Sequence, residues 1–260
     1  MSLVAYEFSQ GIAILTLNNA PANAYSTPMF KELDAAILDA RWDPAVDVIL
    51  ITGAGDKFFC AGADIDMLSG MDPDTKYYFC LHANETLLRL EHTPKLVISA
   101  LNGHCVGGGL EVAMAADIRV APANSKSKVG LPEVSLGVLP GTGGTQRLAR
   151  MVGQTRAIEL MAEGRLMSVV EASEYGLINR LLAGDDFKST ALEYARKFCR
   201  PGTSSRAIGH IKRAVRSGTD LPLESGLALE RELQQRLFAG NDAVEGLAAF
   251  REKRDPQFTG

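Results

Sequence analysis

Residues 96–116 read LVISALNGHCVGGGLEVAMAA: an apolar run from Leu96 to Leu101, a glycine-rich stretch from Gly103 to Gly109 that reads as loop, and a short helix from about Leu110 to Ala116. A strand that feeds a short helix through glycine belongs to α/β layering. The consecutive glycines 107, 108 and 109 leave backbone N–H groups facing outward at the positive end of the helix dipole. Such a place can hold a phosphate or a developing oxyanion. Neither G-x-G-x-x-G nor G-x-x-x-x-G-K-[ST] is present, and Gly141-Thr142-Gly143-Gly144 fails the same comparison. At this point a glycine-rich turn with no ligand is equally open.

Working upstream, alternation predicts strands over Val4–Phe8 and Ile12–Leu17 about a Gln10-Gly11 turn. Pro21–Ser26 reads as loop. A helix capped by Ser26 or Thr27 carries Met29, Leu33, Ile37 and Leu38 at helical spacing. Val46–Ile51 is a β-branched strand, and an amphipathic helix spans about Thr75–Glu91. Downstream, Asp117–Ala121 is strand-like. From about Gly143 the pattern turns helical, with one short strand near Leu177–Leu182 and helices over Asp186–Cys199, Ser204–Arg216, Leu223–Phe238 and Asp242–Lys253. The order strand, helix, strand, helix, strand predicts a mixed α/β core. Pro201-Gly202 marks a boundary before a helical subdomain. No internal repeat stands out.

The 260 residues are 46% hydrophobic and 22% charged, with a formal net charge of −4. This is a globular balance, and a chain of this size buries roughly three quarters of its unfolded surface. The acidic sum and the lack of a basic, aromatic-interleaved stripe argue against nucleic acid. No apolar run approaches the roughly 18 residues of a membrane helix. No secretory signal is expected, and the cytoplasm is the expected location. Cys60, Cys80, Cys105 and Cys199 form no C-x-x-C pair or zinc spacing, which reads as free thiols in a reducing compartment with no metal.

A second small-residue stretch runs Phe58-Phe59-Cys60-Ala61-Gly62-Ala63-Asp64-Ile65. By itself it is a tight strand-to-helix turn; beside the first it allows a ligand close to the main chain. Glu111 follows the glycines and Glu133 lies in Gly130-Leu131-Pro132-Glu133. Taken singly, each glutamate reads as a solvated surface residue. Two carboxylates converging on one apolar cleft can divide acid and base work, because repulsion and desolvation keep one of them protonated near neutrality. His104 beside the glycines reads as structural. No G-x-S-x-G elbow or H-E-x-x-H helix occurs.

At these residues the sequence resembles the crotonase superfamily, and within it the enoyl-CoA hydratases. The matching stretches are Phe59–Ile65, Asn102-Gly103 with Gly107–Glu111, Leu131-Pro132-Glu133, and Gly137-Val138-Leu139-Pro140-Gly141-Thr142-Gly143-Gly144-Thr145-Gln146-Arg147-Leu148. Weaker similarity runs from the N-terminal strands to Phe250–Arg254. The resemblance implies a spiral core of repeated ββα units over residues 1–200 that carries the active site. It also implies a C-terminal helical oligomerisation region over 201–260, and homotrimers or dimers of trimers. Hydration of the 2,3 double bond of an enoyl-CoA thioester is the implied reaction. By the same resemblance the N–H groups of Ala63 and Gly108 would form the oxyanion hole, Glu111 would position and deprotonate water, and Glu133 would give a proton to the α-carbon. The resemblance also implies that Ala61, Asp64 and Ile65 line the CoA site, largely through the main chain, and that Phe250 and Lys253 match residues that contact the CoA nucleotide end, often from a neighbouring subunit. Coenzyme A arrives as part of the substrate, so no separate cofactor is implied. Tyr25 stands where leucine is common after Asn-Ala, Val129 where phenylalanine is common, and Asp66 where lysine is frequent; these departures bear on acyl preference and CoA affinity. An enoyl-CoA isomerase or other acyl-CoA lyase is the nearest rival, since proton shuttling can use one carboxylate. RNA-binding relatives and a catalytically silent scaffold are the alternatives from other classes.

Overall fold

A computed structural model describes residues 2–260. The chain climbs through repeated strand–strand–helix turns. The first turn is β1 (Val4–Ser9), β2 (Ile12–Leu17) and α1 (Thr27–Trp42). The second is β3 (Val48–Gly53) and β4 (Phe58–Cys60), followed by the short α2 (Ile65–Ser69) and α3 (Pro73–His92). The third is β5 (Leu96–Ala100), β6 (His104–Val106) and α4 (Gly108–Ala115). A fourth begins with β7 (Ile118–Pro122) and β8 (Lys128–Gly130), then a 3₁₀ turn (Glu133–Leu136), α5 (Gly144–Val152) and α6 (Gln154–Glu163). The chain closes the core with β9 (Met167–Ser168), α7 (Val169–Glu174), β10 (Arg180–Leu182) and α8 (Phe187–Arg196). After Pro201 come α9 (Ser205–Gly218), α10 (Leu223–Phe238) and α11 (Asn241–Glu252).

From the second turn onward, one strand of each pair enters a large sheet and the other a small one. The large sheet runs β1-β2-β3-β5-β7-β10, parallel except for the β1–β2 hairpin. The small sheet runs β4-β6-β8-β9, parallel except at β9. Strand β3 is buried at every position, as expected of a parallel strand covered on both faces. Its side chains alternate between two cores. Ile49 and Ile51 face the cluster that includes Phe30, Leu33 and Leu87 from α1 and α3, while Val48 and Leu50 face Ala191 and Ala195 of α8.

Two readings from the sequence need correction. The stretch 103–109, expected as loop, contains β6, and α4 starts at Gly108 instead of Leu110. The pairing of β6 with β4 and β8 imposes extended geometry on three residues, too few to show a strand's alternation. The repeat that the sequence does not display is a repeat of backbone pairing, so side-chain identity need not recur. The segment after Pro201 is helical, and α9 rests tightly on the core: a Cβ on Gly209 would meet the Pro94 carbonyl oxygen at 2.3 Å. Ion pairs reinforce this contact, with buried Lys212 to Asp117 at 2.7 Å, and Arg216 reaching both Glu91 (2.9 Å) and Asp117 (3.0 Å).

Candidate active site

Strands β4 and β6 are parallel neighbours, so the two small-residue turns leave the small sheet on the same side. Just beyond them Gly62 (φ 98°) and Gly107 (φ 56°) adopt left-handed backbone conformations that favour glycine. A Cβ on Gly62 would lie 3.1 Å from the Gly108 nitrogen, and one on Gly107 would lie 3.9 Å from the Gly62 Cα. The turns therefore touch main chain to main chain. Tyr25 fixes the first of them from below: its N–H donates to the Gly62 carbonyl (2.8 Å), and the Asp64 N–H donates to its carbonyl (2.9 Å). In this parallel bridge the N–H of Ala63 points away from Tyr25. Gly108 begins α4, so its N–H lacks a helical partner. Among the described residues no backbone carbonyl accepts from either N–H.

Glu111 follows on the first turn of the wholly buried α4 and is 1% exposed. Its Oε1 accepts the N–H groups of Thr142 (2.8 Å) and Gly144 (2.6 Å), and its Oε2 accepts the Thr142 hydroxyl (2.5 Å). A carboxylate offers about four acceptor positions, so three donors orient it and leave one position for a water or ligand proton. Glu133 opens the 3₁₀ turn in a different setting. Its Oε1 would lie 3.0 Å from a Cβ on Gly107, and its buried Oε2 has no partner among the described residues. Burial, with a lesser contribution from Glu111, pushes the Glu133 carboxyl up to about 7. The site thus pairs an orienting acceptor with a carboxyl that keeps its proton near neutrality.

The remaining expected site residues divide. Ala61 is half-buried, with its N–H donated to the Ala22 carbonyl at 3.1 Å. The Asp64 side chain caps α2 by accepting the Met67 N–H at 2.9 Å, and Ile65 and Asp66 beside it are exposed. Phe250 and Lys253 stand apart, on α11. Phe250 is 85% exposed, Lys253 closes the helix at φ 56°, and no hydrogen bond among the described residues links them to the turns. Val129 is buried in β8, and His104 Nδ1 accepts the Lys128 N–H at 3.1 Å, a structural contact. Burial pushes the Cys60 thiol up to about 12 and the Cys199 thiol up to about 11, which leaves both poor nucleophiles.

Sequence reasoning missed the clamp on Glu111. By sequence Gly141–Gly144 invites comparison only with a phosphate loop, whereas its amides and hydroxyl converge on a carboxylate of the same chain. The signal was available: closely spaced glycines with a hydroxyl residue supply donors to any anion, including a side chain.

The family model described as enoyl-CoA hydratase/isomerase matches residues 7–260. A probable enoyl-CoA hydratase of Bacillus subtilis is 37% identical, with both chains covered in full. A short-chain-enoyl-CoA hydratase of Clostridium acetobutylicum is 37% identical over 94% of this chain and 92% of its own. Among solved structures, an enoyl-CoA hydratase from Geobacillus kaustophilus superposes with a TM-score of 0.96 at 43% identity, covering 100% of this chain and 97% of that one.

Proposed function

The chain belongs to the enoyl-CoA hydratase/isomerase family, and from that membership we propose that it adds water across the 2,3 double bond of an enoyl-CoA thioester. One observation carries the proposal: two unspent backbone N–H groups in touching turns, flanked by two carboxyl groups in unlike environments. The thioester carbonyl accepts from Ala63 and Gly108. As the oxygen of water bonds to the β-carbon, the double-bond electrons move onto the carbonyl oxygen, where the two N–H groups stabilise the enolate. Glu111 takes the proton from the water at its unfilled acceptor position. Glu133 delivers its proton to the α-carbon as the carbonyl reforms.

Ala61, Asp64 and Ile65 edge the turn where the CoA chain would pass, mainly through their main chain. Phe250 and Lys253 lie too exposed on α11 to complete a site within one protomer, which fits a contribution to a neighbour's CoA. Residues 1–200 then form the catalytic core and 201–260 the association region, in a homotrimer or dimer of trimers. A groove of about 920 Å³ between α5 and α9 supports self-association, since Leu139, Ile211 and Val215 stand exposed along it. Sedimentation at micromolar concentration should give three or six copies; a monomer would count against this arrangement. Among the described residues no helix is long and apolar enough to cross a membrane. The four free thiols favour the cytoplasm. Nucleic acid has no role in this reading, and no metal or cofactor takes part beyond the coenzyme A of the substrate.

The decisive assay follows loss of the conjugated thioester's absorbance over a panel of 2-enoyl-CoAs, with product analysis from a 3-enoyl-CoA. Hydration should dominate; faster double-bond migration would transfer the assignment to an isomerase. The pH profile adds a sign. Glu133 acts in its protonated form, which persists to about pH 7 and is lost as pH rises through that value. Hydration kcat/KM should therefore fall on the alkaline side with a midpoint near 7, and Glu133→Gln should abolish that limb. A profile flat between about pH 6 and 9 would remove Glu133 as the acid.

A further inference from the structure

Tyr25 stands where the resemblance leads one to expect leucine, and the structure places its side chain against two parts of the site at once, Gly108 and Thr142. The ring is fixed by an edge contact with Phe30 (centroids 4.8 Å) and stacking on Phe79 (5.9 Å). Its far end lies directly under Gly108: a Cβ there would come within 1.9 Å of the Tyr25 hydroxyl oxygen and 2.2 Å of Cε1. The hydroxyl is 3.5 Å from Thr142 Oγ1. Donor and acceptor follow from hydrogen counting. Thr142 has one hydroxyl hydrogen and gives it to Glu111 Oε2, so its oxygen can only accept, and Tyr25 is the donor.

We propose that Tyr25 is a positioning residue of the hydration site, whose ring supports the Gly108 amide and whose hydroxyl orders the Thr142 hydroxyl that holds Glu111. The inference rests on the hydratase reading. Burial, and after it the charge of Glu111, pushes the phenol well above the usual tyrosine range, which keeps it a donor at every working pH. The backbone bridge to Ala63 is available to any residue at this position; the ring and the hydroxyl are not. In their place a leucine would leave Thr142 Oγ1 free to rotate its hydrogen away from Glu111. The 3.5 Å separation is long for such a bond, and contacts of this kind shorten when substrate closes a site.

Tyr25→Phe keeps the ring and the bridge and removes only the hydroxyl. We expect kcat for hydration of crotonyl-CoA to fall about three- to tenfold, the worth of one ordinary hydrogen bond, with KM held within about twofold. A merely structural side chain would move stability and not this split. In a Thr142→Val background the same Tyr25→Phe change should cost less than about twofold, because the link to Glu111 is already cut. In Thr142→Ser, which retains the hydroxyl, the full cost should return. Parental kcat in Tyr25→Phe, or an equal loss in the Thr142→Val and parental backgrounds, would overturn the inference alone. A parent enzyme inactive on every 2-enoyl-CoA would overturn it together with the hydratase reading.

Discussion

Glu133→Gln is expected to lower hydration kcat by about 10²- to 10⁴-fold, the usual worth of a positioned general acid, with the fold untouched. The structural asymmetry of the two carboxyl groups is what makes this a sharp expectation. Glu133 Oε2 has no partner to lose, and its charged form is already disfavoured by burial. A neutral amide of the same shape therefore removes the transferable proton and nothing else. Glu111→Gln should cost a comparable factor in kcat but should also be felt by the fold. Glutamine can keep its oxygen on the Thr142 and Gly144 amides and turn its NH₂ to the Thr142 hydroxyl oxygen. It thereby exchanges charge-assisted bonds for neutral ones, at a cost of about 1–2 kcal/mol. Stopped assays of kcat and urea midpoints on both variants separate the cases. Near-parental turnover in either would strip that residue of its role, and a large stability loss in Glu133→Gln would mean that its side chain is a structural partner after all.

The same asymmetry shows where the sequence stops being informative. The long strands are legible because burial on both faces leaves continuous apolar runs, as in Val48–Ile51. The helices are legible from their spacing: α3, expected from Thr75 to Glu91, runs Pro73–His92, and α10 keeps its expected bounds. The small sheet is not, since its strands are two or three residues long and are defined by partners far away in sequence. It is nevertheless the sheet that aligns the two turns. The glutamates could be singled out only by their closeness to glycines, and nothing in the string of residues separates their environments. That separation comes from the Gly141–Gly144 loop folding onto Glu111 and leaving Glu133 Oε2 without a partner. Phe250 and Lys253 were reached only through the resemblance, because an exposed aromatic and a lysine on a terminal helix carry no chemical signature of their own.

Deleting a backbone donor is the harder test and the one on which the proposed mechanism depends. Gly108→Pro removes the N–H at the first position of α4, where proline fits a helix and the missing donor has no internal partner. Gly107 before it (φ 56°, ψ −132°) does not occupy the α region that a following proline disfavours. In the parent, however, any side-chain atom at 108 collides with Tyr25, whose hydroxyl oxygen, Cε1 and Cζ all lie within 2.3 Å of the Cβ position. The single variants Gly108→Ala and Gly108→Pro should both be crippled, and their failure would say nothing about the N–H. Tyr25→Leu removes all three obstructing atoms. In that background Gly108→Ala keeps the donor and Gly108→Pro lacks it, so their ratio isolates the amide. We expect the proline variant to turn over about 10²- to 10³-fold more slowly than its alanine counterpart, as for loss of one oxyanion donor elsewhere. Both should show matching far-ultraviolet dichroism. Equal turnover in two folded proteins would take Gly108 out of the oxyanion hole, and with it the account of how these two turns stabilise an enolate.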